Sequence, residues 1–261
     1  MADHALRLTD VGVTRTGRDL LDAIDWSVGH DERWAILGAN GSGKSTLIQV
    51  AALQLHPSRG DVDVLGQRLG RTDVRTLRRR IGYAAAALAD SLRPTITARD
   101  VVMTARYAAL EPWWHEYDDA DRGEAVDRLR RLGVDQFADR EFGTLSSGER
   151  QRVLVARTLM GEVGLVLLDE PAAGLDVGGR EWLVEGLDQL AADPATPATV
   201  LVTHHLEEIP PSFTHVLLLR GGRVLAGGPI EETLTTESLS ATFDLKLEVS
   251  RRGGRWTALP A

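Results

Sequence analysis

Trp34-Ala-Ile-Leu-Gly38-Ala39-Asn40-Gly41-Ser42-Gly43-Lys44-Ser45-Thr46 is the stretch that decides how this chain is read. Trp34–Leu37 is an apolar run of strand character, while Leu47, Ile48, Ala51 and Leu55 follow helical spacing, so Gly38–Thr46 joins a strand to a helix. Gly38–Ser45 satisfies G-x-x-x-x-G-K-[ST]. That layout suits a phosphate chain. Its glycines let successive backbone N–H groups converge on the oxygens, and the helix N-terminus adds its dipole. Lys44 reaches the β- and γ-phosphates, and the Ser45 hydroxyl completes a Mg²⁺ shell. Average residue usage puts a chance match in 261 residues on the order of one per cent. It is rarer still here, because the chain has only two lysines, Lys44 and Lys246, against twenty-eight arginines.

Two further segments carry chemistry. Gly164-Leu-Val-Leu-Leu-Asp169-Glu170-Pro171 is an apolar strand ending in two carboxylates. Asp169 at the strand end suits Mg²⁺ held through water, and Glu170 suits polarisation of a water for in-line attack on a γ-phosphate. Without a phosphate loop in the same chain, a buried strand with a solvated acidic exit would explain this run as well. Leu145-Ser146-Ser147-Gly148-Glu149-Arg150-Gln151-Arg152 opens the helix leading into that strand. Ser146 with Glu149 is an ordinary capping box. The same hydroxyl, flexible Gly148 and free N–H groups also make an anion site. The two readings are compatible, since a cap satisfied without ligand can release its donors to a phosphate.

Taken in order, these segments resemble the ATP-binding-cassette (ABC) ATPase family. After the phosphate loop come a helical insertion, the Ser146-Ser147-Gly148 signature and the Asp169-Glu170 strand. Ala173-Gly174-Leu175-Asp176 then matches a D-loop, and Val202-Thr203-His204 a switch histidine. The resemblance runs from about Leu6 to Leu234. It implies an α/β fold: a P-loop NTPase of ABC type, with a mixed sheet and crossover helices, an inserted helical subdomain and an N-terminal antiparallel β region. It also implies an ATP hydrolase with ATP and Mg²⁺ as cofactors. Ser45 and Asp169 would hold the metal, and Glu170, His204 and Lys44 would act in catalysis. Gly38, Ala39, Asn40, Gly41, Ser42, Gly43, Lys44, Ser45 and Thr46 would cradle the nucleotide. Ser146, Ser147, Gly148 and Asp176 would face an ATP held by a second subunit. One copy of each motif per chain therefore implies a head-to-tail dimer, of identical or different chains.

The chain departs from the family pattern twice. Ala86 stands where a Gln that touches Mg²⁺ and faces the partner subunit is expected, and no Gln occurs between Gln67 and Gln136. Thr14-Arg15-Thr16-Gly17 has no ring to stack on adenine, which leaves Arg15 as a planar cation for that place. Among lesser features, Trp113-Trp114 is expected in a helical core rather than on a docking patch. Arg78-Arg79-Arg80 is expected to be a solvated or dipole-matched helix end.

The rest of the chain bounds these readings. A net charge of −8 argues against broad nucleic-acid binding, and the absence of Cys removes disulfides and thiolate chemistry. The longest apolar stretch, Val163–Leu168, is far too short for a membrane span, and Met1–Asp10 does not read as a signal peptide. A soluble, cytoplasmic chain is expected, held at the inner face of a membrane through partner subunits. Strands are expected at Leu6–Val13, Ile24–Val28, Trp34–Leu37, Asp61–Leu65, Ile81–Ala84, Leu165–Leu168, Val200–Thr203 and Val216–Leu219, and their alternation with helices points to a parallel sheet. Thr97–Gly161 reads as almost wholly helical, with a capping-box-like start at Thr97 and Asp100. Residues 1–261 are expected to form one domain. The helical subdomain lies at about 90–160, and a C-terminal hairpin extension at about 244–261 turns at Arg251–Gly254.

The resemblance is closest to ATPase subunits of metal- or siderophore-type transporters, driving separate transmembrane subunits. Two alternatives stay open. One is a soluble ABC ATPase acting on a protein assembly without a membrane partner, which Ala86 favours modestly. The other is a different phosphate-loop enzyme such as a small-molecule kinase.

Overall fold

The computed structural model describes residues 4–261 and, for Ala86, Ala87 and Trp114, the backbone alone. Met1–Asp3 of the N-terminal segment and the Trp114 ring thus lie outside the described residues. The chain opens with β1 (Leu6–Arg15), β2 (Arg18–Val28) and β3 (Arg33–Leu37), then α1 (Lys44–Ala51), β4 (Arg59–Val64) and β5 (Gln67–Arg68). After α2 (Val74–Arg78) and β6 (Ile81–Ala85) it is helical through α3 (Ala86–Ser91), α4 (Ala98–Met103), α5 (Asp119–Arg131) and α6 (Ser147–Arg157). Strand and helix then alternate: β7 (Leu165–Asp169), α7 (Val177–Ala192), β8 (Ala198–Val202), β9 (His215–Arg220) and β10 (Arg223–Pro229). The chain closes with α8 (Ile230–Thr233), α9 (Thr236–Phe243), β11 (Leu247–Arg252) and β12 (Arg255–Pro260).

A six-stranded sheet of order β10-β9-β3-β8-β7-β6 forms the centre. Its strands from β6 to β9 are parallel and β10 is antiparallel, so the sheet is mixed. An antiparallel sheet, β2-β1-β4-β5, lies beside it. The central strands are buried on both faces, as crossover connections require. Leu165 and Leu167 of β7 enter the apolar cluster shared with α1 and the N-terminal strands, while Val166 and Leu168 enter the one shared with α4–α7. At Gly82 the sheet comes against the end of α6, and a Cβ there would lie 1.9 Å from the carbonyl oxygen of Thr158.

Three expectations are corrected. The stretch 104–118 is not a continuous helix but two short 3₁₀ turns, Thr104–Tyr107 and Pro112–Trp114, joined by irregular chain. Ala108 takes the left-handed conformation, and Arg157 draws off the carbonyls of Val101 and Ala109 at 2.5 and 2.6 Å. At Thr97 only half of the capping box forms: its hydroxyl accepts from the Asp100 N–H at 3.1 Å. Trp113 is 57% exposed, with the Arg93 guanidinium 4.6 Å above its ring, and so is not core. Of the arginines at the α2 end, Arg79 and Arg80 are exposed, as a solvated helix end requires, while Arg78 is half-buried. Arg78 donates to the Leu53 carbonyl, and Arg79 lies over Tyr107.

Candidate nucleotide site

Gly38–Gly43 wraps the C-terminal end of β3 and delivers Lys44 and Ser45 to the first turn of α1. Two glycines are sterically required. A Cβ at Gly38 would sit 2.3 Å from the Leu219 carbonyl oxygen, and Gly43, at φ +104°, caps α1 against the Leu20 carbonyl. Lys44 is only 5% exposed, and its ammonium donates to the carbonyls of Gly38 at 2.8 Å and Ala39 at 3.2 Å. Burial pulls the Lys44 ammonium below its ordinary range, against the opposing pull of Glu170 and then Asp169. The loop's own carbonyls thus hold the cation.

The two carboxylates sit where β7 ends. Asp169 is buried and accepts from the Ser45 hydroxyl at 3.3 Å. Burial pushes its carboxyl above the usual range, the Ser45 hydrogen bond acting against this. Glu170 takes a left-handed turn at φ +49° and donates its N–H to the Val202 carbonyl at 3.0 Å. A side chain in that region costs on the order of 1–2 kcal/mol, and here it reverses the chain directly beyond Asp169. The Glu170 carboxylate lies 3.3 Å from His204 Nδ1 and 3.9 Å from Lys44 Nζ. Lys44, Ser45, Asp169, Glu170 and His204, separated by up to 160 positions in sequence, therefore form one contiguous polar cluster.

The signature residues form a second group. Ser146 and Glu149 make a reciprocal capping box at 2.7 and 3.3 Å, and Ser147 and Gly148 fill the first turn of α6. Asp176 caps α7 through the Gly179 N–H at 2.7 Å. The two helix starts adjoin, since a Cβ at Gly148 would lie 3.6 Å from the Gly179 Cα. Among the described residues no hydrogen bond or ion pair joins Ser146 or Asp176 to the Lys44 cluster.

Residues outside the motifs also shape the site. Tyr83 on β6 has its phenol pushed up to about 12, by burial and then by Asp169. Thr203 donates its hydroxyl to the buried Glu208 carboxylate, bracing the His204 loop. No local pattern marks Glu208, which follows an equally acidic Glu207. The Thr14–Gly17 segment forms the exposed β1–β2 turn, and Arg15 is exposed there. Ala86 opens α3 directly after Ala85, which pairs with Asp169.

Residues 21–173 match the model of the ABC transporter family. The chain belongs to that family. Among its relatives, the uncharacterized ABC transporter ATP-binding protein YlmA of Bacillus subtilis is 39% identical, over 94% of this chain and 92% of its own. The manganese transport system ATP-binding protein MntB of Halalkalibacterium halodurans is 33% identical, over 84% of each chain. Among solved structures, cbiO1 of Clostridium perfringens, part of the ABC transporter complex cbiONQ, superposes with a TM-score of 0.76 at 26% identity. That likeness covers 92% of this chain and 94% of cbiO1. This is thus an ATP-binding component of an ABC transporter, with the cassette fold. No helix among the described residues is long and apolar enough to cross a membrane.

Proposed function

We propose that this cassette binds and hydrolyses MgATP between two copies of itself and thereby drives separate transmembrane subunits of a metal- or metal-chelate-type transporter. The observation carrying the hydrolytic part is the approach of Glu170 to both His204 and Lys44 at one sheet edge. Gly38–Thr46 cradles the phosphates, and the Lys44 ammonium exchanges the Gly38 and Ala39 carbonyls for β- and γ-phosphate oxygens. The Ser45 hydroxyl and the Asp169 carboxylate are hard oxygen donors already in contact, which suits Mg²⁺. When bound, the ion neutralises phosphate charge. Glu170 accepts a proton from the attacking water, and His204 holds that carboxylate in place while facing the γ-phosphate.

The dimer follows from the second group. Ser146 caps α6 and Asp176 caps α7, with Ser147 and Gly148 in the first turn of α6. Turning the Ser146 hydroxyl and the N–H groups of that turn to a phosphate requires an ATP presented by a second chain, with Asp176 beside the seam. The helices at about 90–160 serve as the inserted subdomain that carries this group. The transport part rests on the family and on relatives such as the manganese system's MntB. Ala86 in place of the expected Gln favours a second reading, a cassette acting on a protein assembly without a membrane partner.

One experiment addresses both parts. Tagged Glu170→Gln protein is trapped with ATP and Mg²⁺ in its native host, extracted in mild detergent, and its partners identified by mass. A stoichiometric polytopic membrane protein, lost with Lys44→Ala, is expected. A purely soluble assembly shifts the reading to the alternative.

A further inference from the structure

His204 stands on a loop gripped from two directions. On one side Thr203 donates its N–H to the Ile36 carbonyl at 3.1 Å and its hydroxyl to Glu208, while accepting the His205 N–H at 3.0 Å. On the other side, residues Leu206–Glu208 form a single 3₁₀ turn, with Leu206 and Ile209 in the core. The C-terminal hairpin lies across this turn. Arg255, the first residue of β12, donates Nη1 to Glu181 Oε2 at 2.8 Å and Nη2 to the carbonyl of Glu207. Its neighbour Trp256 is buried in the same apolar cluster as Leu206 and Ile209. Glu181 belongs to α7, the helix capped by Asp176. One guanidinium therefore ties the turn after His204 to the helix beginning at Asp176.

Burial of Trp256 alone would anchor the tail. Arg255 adds something different, a planar two-direction clamp whose acceptors are 48 and 74 residues away in sequence. We infer that Arg255 is a positioning residue for hydrolysis: it fixes the His204 loop relative to α7, so that the His204 ring stays against Glu170. This rests on the hydrolytic reading above. Because His204 approaches Glu170 at 3.3 Å, a loop shift of a few tenths of an ångström breaks that contact.

The test uses the full chain with Arg255→Ala, and Arg255→Gln as a second variant should the first fail to fold. Steady-state phosphate release and amide hydrogen exchange are measured. Expected are a kcat lower by about tenfold, a KM for ATP within about twofold, and faster exchange at His205–Ile209. Arg255→Lys, which keeps one of the two acceptors, should fall between. In a His204→Ala background the Arg255 change should cost less than about twofold, because the group it positions is gone. Unchanged exchange at His205–Ile209 overturns the inference, and so does a full further tenfold loss in the His204→Ala background. A wild type that hydrolyses ATP while Arg255→Ala keeps its kcat overturns this inference alone. A wild type without turnover overturns the hydrolytic reading and this one with it.

Discussion

His204 Nδ1 lies 3.3 Å from Glu170 Oε1, the same oxygen that stands 3.9 Å from Lys44 Nζ. One carboxylate oxygen thus lies between the Lys44 ammonium and the His204 ring, where the proposed phosphate contact and the proposed base meet. Removing its charge while keeping its shape separates binding from chemistry. Glu170→Gln should retain ATP affinity within a few fold and lose kcat by about 10²–10⁴. It should also accumulate an ATP-dependent dimer, visible by size exclusion with ATP and Mg²⁺. Turnover at the wild-type rate would remove Glu170 from the base role.

Asp169 carries an intrinsic stability cost. Its carboxyl is pushed above the ordinary 3.8 chiefly by burial, so the folded state holds that proton more tightly than the unfolded chain does. The ionised form therefore weakens the fold at neutral pH, and the penalty fades as pH falls through the raised folded value. Asp169→Asn should raise the Tm without nucleotide by about 2–4 °C at pH 7.5 while abolishing hydrolysis. The gain over wild type should close as pH falls toward 3.8. Scanning fluorimetry at several pH values reads this directly. A gain that grows on acidification would contradict the sign.

These two residues were legible because their signal is local: an apolar strand that stops at adjacent carboxylates. The phosphate loop is legible for the same reason, and the parallel strands follow from the runs flanking it. Most of what the sequence does not show depends on distant partners. The break at 104–118 reflects Arg157 taking carbonyls 48 and 56 residues away. β10 carries no strand signal of its own, because it alternates between exposed and half-buried residues and contains Gly227 and Gly228. Trp113 read as core by its composition, yet it is held at the surface by Arg93. The bracing of Thr203 by Glu208 and the clamp of Arg255 join groups whose sequence neighbours look like ordinary surface.

Gly82 tests the packing of β6 on α6. A methyl group there meets the Thr158 carbonyl at 1.9 Å, and the obstacle is backbone rather than a movable side-chain end. Gly82→Ala should destabilise by about 1–3 kcal/mol, seen as a lower urea midpoint at constant m-value. A midpoint within error of wild type would mean that the strand and helix separate more easily than this packing implies.

Ser146 presents two roles that one substitution can divide. Its hydroxyl caps α6 through the Glu149 N–H, and Asp caps a helix start about as well as Ser. Ser146→Ala removes the cap and should cost about 1 kcal/mol of stability together with activity, so it cannot separate the roles. Ser146→Asp keeps the cap and adds a negative charge that the helix dipole tolerates. That charge would face the γ-phosphate if the signature closes over a nucleotide held by a second chain. The expected result is a Tm at or above wild type, with hydrolysis lost and with no ATP-dependent dimer in the Glu170→Gln background. Nucleotide affinity of the single chain should be unchanged, because among the described residues no hydrogen bond or ion pair joins Ser146 to its own Lys44 cluster. Wild-type turnover by Ser146→Asp would reduce Ser146 to a helix cap and take away the argument for a shared site.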